Sequence, residues 1–389
     1  MNSRYSDNMS PESIPFNYPY IAGKELYHIA RAVMEGQLAG GGPYSRRCEE
    51  WLEDHLGAHR VLLTHSCTAA LEMAAMLCDI GPGDEIILPS FTFVSTANAF
   101  ALRGAKLVFV DIRPDTLNID ENQIEEAITP KTKAIVPVHY AGVGCEMDSI
   151  LDIANRHAIR VIEDAAQGVC SYYNNRSLGT LGTLGCWSFH ETKNFISGEG
   201  GALVINSPEF FERAEIIREK GTDRSKFFRG ETDKYTWIEL GSSYVPSELT
   251  AAFLFAQLEM SEEINNRRHT VFNYYQKRLQ PLEEEGLVRL PSTPQECQHN
   301  AHMFYLILPS ASMRNELLNH LKSNGINAVF HYIPLHESPM GQKLGTDSSR
   351  LPVTEEMSRR LLRLPLFYGM KPEAQDRTIE AIQEFLRSD

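Results

Sequence analysis

Two residues of this 389-residue chain have the type and setting for chemistry at a carbonyl or an amine: Asp164 and Lys193. Asp164 closes the apolar strand pattern of R-V-I-E-D-A-A-Q, which leaves a carboxylate at a sheet edge. Taken alone, it reads as a helix N-cap. Lys193 follows 29 residues later in S-F-H-E-T-K-N, between the run Cys186 to Phe189 and the turn S-G-E-G-G. A lone lysine is usually a solvated surface group. Together they offer what pyridoxal phosphate (PLP) asks of a protein: an amine to bond its aldehyde, and an acid facing its pyridinium nitrogen that keeps the ring protonated as an electron sink. Gly198, Gly200 and Gly201 let the chain turn closely beside such a cofactor. Ser188 is placed to reach a phosphate oxygen, and Phe93, in P-S-F-T-F-V-S-T, either stacks on the ring or fills core.

Such a pair needs converging strand ends to hold it. Short apolar runs alternate with helical patterns: Arg60 to Leu63, Glu85 to Leu88, Lys106 to Val110, Ala134 to Val138, Arg160 to Glu163, Cys186 to Phe189 and Ala202 to Ile205. That alternation predicts an α/β domain with a mostly parallel sheet. Several runs end on a polar residue (Thr64, Ser90, Asp111, His139, Asp164, His190), and ligands bind outside the carboxyl ends of such strands. The turn Thr64 to Cys67 leads into a helix over Thr68 to Cys78, whose free N–H groups suit a phosphate, although an ordinary N-cap has the same pattern. After about Glu262 the pattern changes to a long charged helix (Asn265 to Leu282), a Pro-rich break, strand-like runs at Met303 to Leu308 and Ala328 to Tyr332, and a helix between them (Arg314 to Asn324). The expected organisation is a disordered extension over 1–13, a large domain over 14–262 and a small C-terminal α/β domain over 263–389.

A formal charge of −14 argues against a nucleic-acid surface, which needs clustered Lys and Arg. Arg218, Lys220, Arg224, Lys226, Arg229 and Lys234 do cluster locally, which suits either a nucleotide diphosphate or a solvated helix end. No apolar stretch has the length of a membrane span or a signal peptide. Seven scattered cysteines without C-x-x-C spacing suit reduced thiols in a cytoplasmic protein, not disulfides or zinc. His331 and His336, five apart on a Pro-broken segment, suggest hydrogen bonding over metal ligation, and no metal is expected.

The motifs V-I-E-D-A-A-Q, S-F-H-E-T-K-N, G-E-G-G, P-S-F-T-F-V-S-T, H-Y-A-G and H-Y-I-P-L-H, in that spacing, resemble the nucleotide-sugar aminotransferases of the DegT/DnrJ/EryC/StrS family. The resemblance runs from I-P-F-N near Ile14 to R-L-P-L-F-Y near Tyr368. It implies a type I PLP-dependent transferase (aspartate aminotransferase-like) fold with a seven-stranded sheet. It also implies PLP as cofactor, L-glutamate and a dTDP-keto sugar as substrates, and a homodimer with shared active sites. By position, Lys193 matches the lysine that carries PLP, Asp164 the pyridinium partner, and Gln167 a contact on the phenolic-oxygen side. Phe93 matches the stacking aromatic, and Cys67, Thr68 and Ser188 the phosphate cup. Arg229, His331, Tyr332 and His336 are implied as sugar-nucleotide contacts. Many members carry G-x-N-Y-R where this chain has Gly241-Ser242-Ser243-Tyr244-Val245, so the Ser243 hydroxyl stands where an Asn reaches the neighbouring subunit's cofactor phosphate, with room for a bridging water. Dehydratases on this scaffold carry histidine in place of the lysine, and Lys193 speaks against that chemistry. Amination at C3 instead of C4, and a non-catalytic binder of the same ligands, stay open.

Overall fold

The structure, a computed structural model, describes residues 13–344 and 350–387, so all but Ser13 of the expected N-terminal extension lies outside the described residues. Twelve strands are described: β1 Arg60–Thr64, β2 Glu85–Pro89, β3 Lys106–Val110, β4 Thr132–Ile135, β5 Arg160–Asp164, β6 Tyr172–Tyr173, β7 Arg176–Ser177, β8 Leu184–Ser188, β9 Gly201–Ile205, β10 Cys297–Gln298, β11 Phe304–Ile307 and β12 Leu361–Leu364. Seven form one sheet in the order β1-β9-β8-β5-β4-β2-β3. Its pairs are parallel except where β9 meets β1 and β8. Successive residues on these strands feed opposite cores: Val61 and Leu63 pack on one face with Ile87, Val161 and Val204, while Leu62 packs on the other with Ile86, Ile162 and Leu203. Cover on both faces is why these strands read as continuous apolar runs.

The helices that cover the sheet and bear on the site are α1 Glu25–Glu35, α2 Pro43–Leu56, α3 Cys67–Leu77, α4 Val94–Ala101 and α5 Met147–His157, with α6 Phe211–Arg218, α7 Arg224–Phe228 and α8 Glu248–Glu259 following the last strand. Ser66 caps α3 by accepting from the Ala69 N–H at 3.1 Å. Buried Glu248 performs the same service for α2, accepting from the N–H groups of Gly42, Tyr44 and Ser45.

The long helix α9, Ser261–Glu284, leads to a second layer with its own core. There β11 pairs antiparallel with β12 and packs against α10 Ala311–Ser323 and the terminal helix Pro372–Arg387. Ile14 joins this core and bridges Ile326, so the described chain starts on the C-terminal layer. The strand expected over Ala328 to Tyr332 does not form. Only Val329 pairs, with Arg363, through bonds of 2.7 and 3.1 Å. Beyond it His331 and Tyr332 turn away to Tyr140 and Gln167 of the large layer, and a ladder cannot continue through that turn. Among the described residues no helix is long and apolar enough to cross a membrane.

Candidate active site

Asp164 is the last residue of β5 and is buried. Its Oδ2 accepts from Thr96 Oγ1 at 2.7 Å and its Oδ1 from the Ala166 N–H at 3.1 Å. Thr96 is bonded in turn to Thr92, just before the start of α4, at 2.8 Å. Glu163 points to the opposite face of the strand, as a period of two requires. It accepts from the N–H groups of Gly179, Leu181 and Gly182 and pairs with buried His139 at 2.9 Å. His139 Nδ1 accepts from the Cys145 N–H, which puts the ring proton on Nε2 and aims it at Glu163. One carboxylate therefore ties down the loops beneath the other.

Lys193 lies in the loop from β8 to β9. The loop is folded on itself by bonds from Glu191 to Gly198, Ser197 to Phe189 and Phe189 to Gly200. Asn194 fastens it to the second layer, donating from Nδ2 to the Asn300 carbonyl at 2.7 Å. That bond leaves Asn194 Oδ1 to accept from His302 Nδ1 at 3.0 Å, and burial, which holds the ring well below its ordinary pKa, keeps His302 neutral with its lone pair on Nε2. Lys193 shares a cavity of about 530 Å³ with Asp164, Ser188, Thr68 and Phe93. Burial lowers its amine from 10.5 to about 8, and the Arg363 charge pushes the same way against the pull of Cys67 and Asp164.

The first turn of α3 faces this cavity with Cys67 and Thr68, the latter donating to Ser95 Oγ at 2.7 Å. Ser188 lies across from it, its Oγ accepting from the His190 N–H at 3.4 Å. Gly201 opens β9 directly against this turn: a Cβ there would collide with the backbone of Ser66 and Cys67. A glycine is what allows the helix N-terminus and the β8 and β9 ends to form one cradle with free N–H groups, which suits a phosphate. Phe93 is 59% exposed, and its ring has a free face at the cavity mouth. With a carboxylate, an amine held partly neutral, an aromatic face and an anion seat around one cavity, these residues fit PLP.

The opposite wall joins Gln167 of the large layer to His331 and Tyr332 of the second. Gln167 Oε1 accepts from the Ala141 N–H at 2.7 Å, and its Nε2 donates to the Tyr332 hydroxyl at 3.1 Å. His331 Nε2 accepts from Arg363 at 3.3 Å, so its Nδ1 carries the proton and donates to Tyr140 at 3.1 Å. His331, Tyr332 and Gln167 line the cavity. Three expected residues do not. His336 bonds Ser90 at 2.7 Å and lies 3.8 Å from Glu355; it forms with Glu337 and Glu355 a group whose ligating atoms lie within 4.8 Å of one another. Arg229 pairs with Glu215 and Glu231 on the outer surface. Ser243 is exposed on a bridge to Glu219. Thr96, His302 and Arg363 are cavity residues that spacing alone did not single out; the i, i+4 threonines of F-T-F-V-S-T were the available sign of the first.

Comparison with known proteins gives a consistent picture. Residues 19–383 match the DegT/DnrJ/EryC1/StrS aminotransferase family. The spore coat polysaccharide biosynthesis protein SpsC of Bacillus subtilis (strain 168) is 33% identical over 382 residues, 96% of this chain and 97% of that protein. The aminotransferase TlmJ from Streptoalloteichus hindustanus superposes with a TM-score of 0.89 at 29% identity, covering 96% of this chain and 99% of the other. NtdA from Bacillus subtilis, solved with bound cofactor PMP, gives 0.86 at 28% identity, covering 98% and 87%.

Proposed function

This chain belongs to the DegT/DnrJ/EryC1/StrS aminotransferase family, and from that premise we propose that it moves the amino group of L-glutamate to dTDP-4-dehydro-6-deoxy-D-glucose. The products are dTDP-4-amino-4,6-dideoxy-D-galactose and 2-oxoglutarate, the amino sugar serving cell-surface polysaccharide synthesis from the cytoplasm. The observation that carries the reading is Lys193 and Asp164 on one cavity with the first turn of α3 and Ser188. PLP, when bound there, supplies an electron sink for the carbon that loses or gains a proton.

The protein's own groups do the rest. Lys193 would hold the cofactor and, with its amine free, is the base that takes a proton from the donor's α-carbon and the acid that returns one to the sugar carbon in the second half. An amine lowered to about 8 is neutral in about a tenth of molecules at pH 7, enough for nucleophilic attack. Asp164, held by Thr96 and the Ala166 N–H, keeps a proton on the ring nitrogen facing it. The first turn of α3 and Ser188 would hold the phosphate, Phe93 would cover the ring, and Gln167 would lie on its phenolic-oxygen side. Exposed apolar residues on α1 (Leu26, Tyr27, Met34) and in the segment Phe228 to Leu240 favour a homodimer, in which Arg229 and Ser243 would serve the partner's cavity. Incubation with glutamate and each of several keto-sugar nucleotides, followed by chromatography and NMR of the product, tests the reading. A C4 amine from the named substrate is expected. A C3 amine would discard this acceptor, and absence of any amino sugar would discard the transaminase.

A further inference from the structure

Outside the cavity, His336, Glu337 and Glu355 bring together an imidazole and two carboxylates that the reaction at Lys193 does not use. Where this protein pairs a buried histidine with an acid directly, the two close to hydrogen-bond distance: His28 on Glu259 and His139 on Glu163, both at 2.9 Å. His336 Nε2 instead stands 3.8 Å from Glu355 Oε1, and although it is enclosed it has no hydrogen-bond partner. Among the described residues it is the one histidine nitrogen in that condition. Glu337 shares the same space, so that one ligating atom from each of the three lies within 4.8 Å of the others.

The backbone on either side of this group is fixed from the large layer. Ser90, directly after β2, accepts from the Leu335 N–H at 3.0 Å through its carbonyl and from the His336 N–H at 3.1 Å through Oγ, and the same Oγ meets His336 Nδ1 at 2.7 Å. Asp111, directly after β3, accepts from the Val353 N–H, the Thr354 N–H and the Thr354 hydroxyl at 2.9, 2.8 and 2.7 Å. Those bonds anchor the first turn of the helix Pro352–Arg360, which bears Glu355. Arg359 on that helix holds Glu337 by Oε1 at 2.7 Å, which draws the second carboxylate toward the first.

We propose that His336, Glu337 and Glu355 bind a divalent cation of the zinc type. Imidazole with carboxylate suits zinc, which takes four ligands at about 2.0–2.2 Å, so that adjacent ligand atoms stand about 3.4 Å apart. The 3.8 Å between Nε2 and Glu355 is close to that spacing and too long for a hydrogen bond. Glu355 and Glu337, with side chains 25% and 34% exposed, have the freedom to close the remainder and leave the fourth position to water. A water bridging Nε2 to one acid would leave the two carboxylates facing each other, whereas a cation satisfies all three groups at once. Ser90 Oγ is then the acceptor for the Nδ1 proton, the outer contact that fixes the tautomer of a ligating imidazole. The spacing of His331 and His336 gave no sign of such a site, because His331 is engaged by Tyr140 and Arg363 and the acids come from other positions. The bound ion joins the helix Pro352–Arg360 to the segment whose His331 and Tyr332 line the cavity, and so clamps that wall. The site stands apart from the chemistry at Lys193, and either can fail without the other.

The test titrates zinc chloride calorimetrically into the full-length, tag-free, PLP-loaded protein, stripped of metal by chelating resin and freed of excess cofactor. One ion per chain with a Kd of about 10 µM or tighter is expected. Affinity should fall by about 100-fold in His336→Gln and in Glu355→Gln, and by about tenfold in Ser90→Ala, which keeps all three ligands. Zinc should also raise the thermal midpoint of the wild type and leave that of Glu355→Gln in place. If His336→Gln does not fold, Glu355→Gln, a change at a partly exposed side chain, decides the matter. Wild type that takes up zinc only at millimolar concentration, or uptake that both variants retain in full, would overturn the proposal, the second result placing the ion at other histidines or at cysteines.

Discussion

Replacing Lys193 by Met should abolish activity and stabilise the cofactor-free protein at neutral pH. The amine is lowered from 10.5 to about 8, chiefly because burial disfavours its charge. At ~1.4 kcal/mol for each tenfold change in proton affinity, that depression corresponds to a penalty of about 3 kcal/mol in the charged state. Solvent entering the cavity reduces this, to about 1–3 kcal/mol. The unfolded chain holds its proton up to 10.5 and the folded chain only up to about 8, so wild-type stability rises with pH between those values. Below about 8 both states are protonated and the penalty is present in full; above 10.5 both are neutral and it vanishes. Met has no proton to lose. Its packing contributes a constant offset, so the diagnostic quantity is the change in the Met-minus-Lys difference with pH. Urea unfolding of both cofactor-free proteins at pH 7 and pH 9.5 measures it, and more than half of the pH-dependent gap should close over that interval. A difference that stays constant with pH would refute the reasoning, because it would mean that Lys193 is as well solvated in the fold as in the open chain.

Four further substitutions have outcomes that follow from the same geometry. Asp164→Asn should keep the fold but lower turnover by about a hundredfold or more, and Thr96→Val by about tenfold, since each weakens the group facing the ring nitrogen; steady-state rates at saturating PLP measure both. Glu163→Gln should cost about 3 kcal/mol in urea unfolding, because the amide NH2 replaces one carboxylate oxygen and meets two donors, either Leu181 and Gly182 or Gly179 and His139; a loss below about 1 kcal/mol would count against that clamp. Gly201→Ala should weaken PLP binding in equilibrium dialysis and lower the thermal transition as well, since the added Cβ meets backbone and must displace the Ser66–Cys67 turn placed to seat the phosphate.

The large sheet was readable because its strands are buried on both faces: each of the seven apolar runs corresponds to a strand, Lys106–Val110 with both ends as expected and the others with ends displaced by at most three residues. Strand ends also pointed to where a site would assemble, since Asp164, Ser188 and the turn after Thr64 all lie at carboxyl ends and open on one cavity. What local pattern could not show was contact between distant segments. Thr96 meets Asp164 across 68 positions, and His331 meets Tyr140 across 191. Arg363 sits in R-L-P-L-F-Y, where strand spacing gives no hint that its side chain lacks an acid. The segment Ala328 to Tyr332 has strand-like composition, yet His331 and Tyr332 are claimed by the large layer, and those tertiary bonds override propensity. Arg229 and Ser243 were expected at the site from resemblance alone, and both lie outside this chain's own cavity.

The most direct test is borohydride reduction of the PLP-loaded protein followed by peptide mass mapping. A pyridoxyl adduct on the peptide carrying Lys193, lost when glutamate is added before the borohydride, is the predicted result. An adduct on another lysine, or one that glutamate leaves untouched, would contradict the account.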